Sequence, residues 1–244
     1  MTFLILQAGT PATPLHRHGG FPHWIRVAAG LGADDAVAVD ITHEPPPAPA
    51  GFAGVFVTGS AAMVTDREPW SEQAAGWLHD AAHAGLPVMG IYYGHQLLAH
   101  ALGGKVADNP RGREMGTVGI ELLPAAANDP LLSTAPTCFK AHATHLQSVL
   151  EAPPGAAVLA RSPLDDCQAF RWGESAWGVQ FHPEFSATHM RGYIAARAGV
   201  LREEGRDPAA MSRNIAATPH ARRVLRNFAR YARANAPQSA PHGE

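Results

Sequence analysis

The chain has 244 residues, 46% hydrophobic and 16% charged, and its 19 Lys and Arg against 21 Asp and Glu leave a formal charge of −2. That length carries one large domain, or one domain with an appendage, and the charge balance makes no electrostatic case for nucleic acid or an anionic membrane. No apolar run approaches the roughly 20 residues that cross a bilayer, the N-terminus lacks the basic start of a signal peptide, and two cysteines make no disulfide framework, so the expectation is a cytoplasmic protein.

Residues 2–8 (TFLILQA) are a continuous apolar run, suited to a buried parallel strand. A loop rich in Pro, Gly and His follows over 9–20, at the carboxyl end of that strand, where open α/β sheets bind ligands. Residues 22–31 predict a helix with Trp24, Val27, Ala28 and Leu31 on one face. A second strand is expected over 36–41, a stiff proline linker over 43–50, and a third strand over 52–57 that ends in Thr58-Gly59-Ser60. Glu68 and Pro69 open a helix over 70–84. Residues 86–91 form a fourth strand that runs into Gly90-Ile91-Tyr92-Tyr93-Gly94, and from His95 a helix pattern carries Leu97, Leu98, Ala101 and Leu102. This rhythm is that of a doubly wound parallel sheet. A strand, a glycine-flanked turn and a helix make a nucleophile elbow, which holds the residue at its tip over the strand end and beside the helix amino end. The residue at the tip is Tyr92.

The second half changes character. Glycines and alternation over 106–123 suggest a hairpin, and 137–149 leads through His142 and His145 to a short strand. Residues 157–161, 167–171 and 176–181 read as antiparallel strands that end at His182-Pro183-Glu184. Alternate strand residues point the same way, so the Glu184 carboxylate can follow the imidazole. The tail over 185–234 is helical, with helices expected over 207–218 and 219–234. The last carries Arg222, Arg223, Arg226, Arg230 and Arg233; the simple reading is the solvated face of a packing helix, the alternative a docking face for a partner or a homodimer, and no feature demands either. Residues 236–244 are expected to be disordered. The histidines are scattered, and pairs such as His16/His18 and His142/His145 read as loop or site residues, so no metal or other cofactor is expected.

Gly90-Ile91-x-Tyr93-Gly94-His95-Gln96, then LLAHALGG, with Thr58-Gly59-Ser60 upstream and Gln180-Phe181-His182-Pro183-Glu184 downstream, resembles the motif set of the triad-type class I glutamine amidotransferases, where x is cysteine. The resemblance covers roughly residues 1–190 and is greatest toward stand-alone proteins similar to the glutaminase domain of GMP synthetase. It implies a flavodoxin-like three-layer α/β fold, a doubly wound parallel sheet with an antiparallel side sheet, over 1–190, and a helical C-terminal extension over 191–235 packed on it. It implies that position 92 carries the nucleophile, that His182 is its base and that Glu184 orients the base. The oxyanion hole would come from the backbone N–H of Tyr93 and from the 58–60 loop, where Gly59 permits close approach. Gln96 and His145 would lie near a glutamine-like small molecule, and Arg113-Glu114-Met115-Gly116 matches a recurrent stretch with a partly structural role. The chain has no Ser-Gly-Gly-x-Asp segment for ATP chemistry, so an acceptor reaction would need a separate synthetase or acceptor protein.

Tyr92 departs from that pattern. A phenol ionises near 10, so it is neutral at pH 7. Its oxygen lies much further from the backbone than a cysteine sulfur, so a carbonyl attacked there would miss donors that must sit about 3 Å from the developing charge. The ring would also fill the place of the substrate amide. The expectation is a pseudo-glutaminase that binds a small ligand or regulates a partner. Two alternatives stay open. One is an active hydrolase or transferase on glutamine or another small amide, with His182-Glu184 as base pair and Tyr92 as nucleophile, acid or pocket wall. The other is an ordinary amidotransferase in which the tyrosine is an introduced change. Cys138 and Cys167 lie off the elbow and read as packing thiols.

Overall fold

The computed structural model of the chain describes residues 1–236; the expected disordered tail therefore lies, apart from Ala236, outside the described residues. In the first half, strands β1 (Thr2–Gln7), β2 (Ala36–Asp40), β3 (Phe52–Val57) and β4 (Val88–Ile91) alternate with helices α1 (Phe21–Ala29), α2 (Pro69–His83) and α3 (Tyr93–Ala101). The strands run parallel in the order β2-β1-β3-β4. Side chains alternate across a strand, and the sequence uses both faces. Phe3, Ile5, Phe56, Met89 and Ile91 pack with Ile25 and Ala28 of α1. Leu4, Leu6, Val55, Val57 and Val88 pack with Leu78 of α2 and with Leu97 and Leu98 of α3. This two-sided burial is why the strands read as unbroken apolar runs.

The second half supplies β5 (Lys105–Asp108), β6 (Glu114–Leu122), β7 (Cys138–His145), β8 (Gln147–Glu151), β9 (Ala157–Arg161), β10 (Ala169–Trp172) and β11 (Ala176–Val179). Strand β11 lies parallel beside β4, and β10, β9, β6 and β7 follow it in antiparallel order, so the antiparallel strands continue the parallel sheet edge to edge into one nine-stranded sheet. Strands β5 and β8 form a separate antiparallel ribbon. The hairpin expected over 106–123 is therefore corrected: β5 and β6 belong to different sheets. Asn109 between them is tied to the ribbon side, its N–H donating to the Leu146 carbonyl (2.8 Å) and its amide to Ser148 Oγ (3.0 Å) and the Leu164 carbonyl (2.6 Å).

Helices α4 (Ala187–Ala196), α5 (Ala198–Glu203), α6 (Pro208–Arg213) and α7 (Pro219–Asn235) complete the chain. The helix expected over 207–218 stops at Arg213, because Ile215 turns into the core and the Ala216 N–H leaves the helical ladder for Thr117 Oγ1 at 3.1 Å. Helix α7 opens on Pro219, where a missing N–H costs nothing. Its Ala221, Val224, Leu225, Phe228, Ala229 and Ala232 recur at helical spacing and are buried. They cover β3 on the α1 side, with the Phe228 and Phe56 rings 4.9 Å apart and Ala232 against Gly54. No helix among the described residues is long and apolar enough to cross a membrane.

Candidate functional site

Strands β1, β3, β4 and β11 are parallel neighbours, so their carboxyl ends open on one side of the sheet, where doubly wound folds form their ligand crevice. The elbow sits in the middle. A Cβ on Gly90 would collide with the Gly94 carbonyl, and one on Gly94 would stand 2.5 Å from the Val57 carbonyl oxygen, so only glycine lets α3 pack this tightly on β3 and β4. Tyr92 is held at φ 54° and ψ −103°. Such a backbone costs a non-glycine residue about 1–3 kcal/mol. The turn is pinned to both flanking strands: the Tyr92 N–H donates to the Val179 carbonyl (2.9 Å) and the Gly94 N–H to the Thr58 carbonyl (3.2 Å). Tyr93 opens α3, so its N–H has no partner within the helix. Its side chain is buried, with the hydroxyl 2.6 Å from Ser71 Oγ, and burial pushes that phenol up to about 12.

His182 and Glu184 meet as expected, with Nδ1 and Oε1 2.8 Å apart and both residues buried. The route differs from the expected one. Strand β11 ends at Val179, so the pair closes through a turn and not through strand alternation. The His182 N–H donates to the His142 carbonyl (2.8 Å), which anchors the turn to β7. The imidazole stacks on Phe185 at 3.9 Å and lies 5.0 Å from the Tyr92 ring centroid. Its Nε2 is buried without a hydrogen-bond partner, so the Tyr92 hydroxyl does not touch it. Burial raises the Tyr92 phenol above its ordinary value, against the opposing charges of Arg197 and Arg113, and the group is neutral at pH 7.

The Gly59 loop closes the other side. Thr58 fixes it, its hydroxyl donating to the Gly59 carbonyl (2.9 Å) and accepting from the Ala8 N–H (2.9 Å). A Cβ on Gly59 would lie 3.1 Å from the Tyr92 ring and 3.5 Å from His182 Cε1. The phenol ring thus occupies the space between the Gly59 loop and the imidazole.

A cavity of about 350 Å³ opens over this group, and Phe21, Ser60, Tyr92, Thr144, His182 and Arg197 are among its walls. Gln96 and His145 are not. Gln96 donates from Nε2 to the Gln147 carbonyl (2.8 Å) and to Gln180 Oε1 (3.0 Å). His145 faces Glu114 across β6 and β7, with Nε2 3.0 Å from its Oε2. Ser162 Oγ (2.7 Å) and Gln168 Nε2 (2.5 Å) also donate to Glu114. This buried network braces the strands behind the cavity, and it gives Glu114 of the Arg113-Glu114-Met115-Gly116 stretch its place. A second cavity, about 480 Å³, lies on the antiparallel part of the sheet. Its charges pair with one another, Arg161 with Glu121 (2.9 Å) and Arg111 with Asp166 (2.7 Å), and it holds none of the elbow residues. Among the described residues no group of three or more His, Cys, Asp or Glu is placed to hold a metal. Sequence reasoning missed Thr144 and Arg197. Thr144 stands beside His145 and was legible as a neighbour; Arg197 lies beyond every motif.

The family described as glutamine amidotransferase class-I matches residues 36–199. A glutamine-hydrolyzing GMP synthase of Thermomicrobium roseum is 38% identical over 141 residues, 58% of this chain and 25% of that protein. The chain thus spans about a quarter of the length of that relative. A gamma-glutamyl-L-1-hydroxyisopropylamide hydrolase of Pseudomonas sp is 29% identical over 161 residues, 63% of this chain and 54% of that protein. Among solved structures, a glutamine amido transferase from Methylobacillus flagellatus superposes with TM-score 0.76 at 23% identity, over 100% of this chain and 98% of the other. One from Thermotoga maritima gives 0.74 at 18% identity, over 95% and 97%. Both share the fold. With the family match spanning the elbow, the Gly59 loop and the His182-Glu184 turn, the chain belongs to the class I glutamine amidotransferases.

Proposed function

We propose that this protein is a pseudo-glutaminase: it keeps the amidotransferase site as a small-ligand pocket and does not hydrolyse glutamine. The observation that carries this reading is the Tyr92 ring lodged between Gly59 and His182, with the imidazole Nε2 left unpartnered. The alternative, a tyrosine nucleophile activated by His182, needs a hydrogen bond from the phenol to Nε2, and that bond is not made. In this reading residues 1–190 are the amidotransferase unit and 191–235 an extension that contributes Arg197 to the pocket wall. Tyr92, His182 and Glu184 are the altered catalytic set; Gly59 and Tyr93 are the former oxyanion donors, and Gln96 and His145 brace the wall. A synthetase or acceptor protein is the natural partner, since some relatives are separate subunits of GMP synthase, such as one of Methanococcus vannielii. The free thiols Cys138 and Cys167 suit the cytoplasm.

The test is glutamate release from glutamine by the wild type, Tyr92→Cys, and Tyr92→Cys/His182→Ala. The wild type is expected to stay at background. Tyr92→Cys should exceed it by about a hundredfold or more, the scale of assisted catalysis, and the double variant should lose that gain. Hydrolysis by the wild type at the rate of Tyr92→Cys would end this reading.

A further inference from the structure

We propose that His79 and His83, on the outer face of α2, form a two-histidine clip for a divalent transition-metal ion. The site stands apart from the cavity over Tyr92. Helix α2 ends at His83 and the chain then enters β4, so this last turn lies at the amino ends of the parallel strands, opposite the elbow. Residues four apart share one face of a helix. Here both are exposed, and their ring centroids stand 4.1 Å apart. Two metal–nitrogen bonds of about 2.0–2.1 Å each reach across up to about 4 Å, the separation of these rings.

The hydrogen bonds select the tautomer of both rings. His79 Nδ1 lies 3.0 Å from Asp80 Oδ1, and His83 Nδ1 lies 2.8 Å from the His79 carbonyl oxygen. A carboxylate and a carbonyl only accept, so each Nδ1 carries the proton and each neutral ring keeps its lone pair on Nε2. Metal-ligating imidazoles are oriented in this way, through the other nitrogen, by a carboxylate or a backbone carbonyl. No group among the described residues takes up either Nε2. Other histidine pairs differ: His16 Nε2 is 2.8 Å from the Pro11 carbonyl, His18 Nε2 accepts from Arg17, and His145 Nε2 faces Glu114. The charge of Asp80 favours a cation here, and so does the place of His83 in the last turn, where the helix carbonyls carry the negative end of the dipole. The Trp172 ring, 4.8 Å from that of His83, walls one side. Imidazole pairs with water in the remaining positions suit Zn(II), Ni(II) and Cu(II), and Cu(II) binds such ligands most tightly.

The experiment is titration of the untagged full chain with Cu(II), followed by calorimetry and by quenching of tryptophan fluorescence. The tightest site is expected to take one ion per chain and to quench Trp172. His79→Ala and His83→Ala should each weaken that site about tenfold or more, because losing either ligand loses the gain from linking the two. His16→Ala should leave it unchanged. Asp80→Asn keeps an acceptor for His79 Nδ1 but removes the charge, and should weaken binding by less than either alanine variant. Trp172→Phe should abolish the quenching with the affinity unaltered. All these side chains are on the surface, and thermal melts would show that each variant is folded. Tight binding that both alanine variants retain, quenching that survives Trp172→Phe, or no binding at sub-millimolar Cu(II) would each overturn the proposal.

Discussion

Tyr92 stands at the tip of the elbow on a strained, positive-φ backbone, and its phenol makes no hydrogen bond to the imidazole beside it. The φ of 54° is imposed by the turn, whatever the residue, and places Cβ over the strand ends. From there the phenol ring lies 5.0 Å from the imidazole, and its hydroxyl makes no hydrogen bond to His182 Nε2. The ring, and not the hydroxyl, is then what matters. Tyr92→Phe is expected to change neither stability nor any residual ester or amide hydrolysis by more than about twofold, since no hydrogen bond is lost. A tenfold fall in hydrolysis of a p-nitrophenyl ester would show that the phenol takes part in chemistry. Position 92, His182 and Glu184 were legible because the elbow and the His-Pro-Glu turn are short local motifs. Arg197 was not, because its approach to the cavity depends on how α4 and α5 pack, which no local spacing records.

The elbow as an element works through contact distance. Gly94 stands against β3 so closely that an added Cβ would lie 2.5 Å from the Val57 carbonyl oxygen and 2.8 Å from its Cβ. Gly94→Ala must push α3 away from β3, and overpacking of this kind costs about 1–3 kcal/mol. Urea denaturation should show that loss with an unchanged slope; a variant as stable as the wild type would mean that the packing is looser than the contacts say. The parallel strands and their helices were readable because two-sided burial makes unbroken apolar runs. The pairing of β5 with β8, and of β6 with β7 and β9, was not, since it joins strands that are not consecutive in the chain and no local spacing records it. The early end of α6 has the same cause: Thr117 draws off the Ala216 N–H from across the molecule.

The molecule as a whole buries histidines it holds neutral, which ties its stability to pH. His95 is fully buried, and burial pushes it down to about 3. His142 is fully buried and is pushed down to about 4, first by burial and then by the charges of His182, His189 and Arg191. Both fold in the neutral form, while the unfolded chain takes up protons below about 6.5. Their contribution is thus complete above about pH 6.5 and is lost as pH falls toward 4. Asp165 acts the other way, since burial raises its pKa and acid relieves its charge, but it is one group against these two and His189, which burial likewise pushes down to about 4. Thermal melts should therefore show a lower midpoint at pH 5 than at pH 7, by a stability loss on the order of 2–4 kcal/mol. His142→Gln keeps a polar side chain beside Thr117 and removes one titrating group, so its midpoint should fall less over the same range, even if it starts lower. Equal midpoints for the wild type at pH 5 and pH 7 would mean that these imidazoles accept protons without disturbing the sheet that buries them.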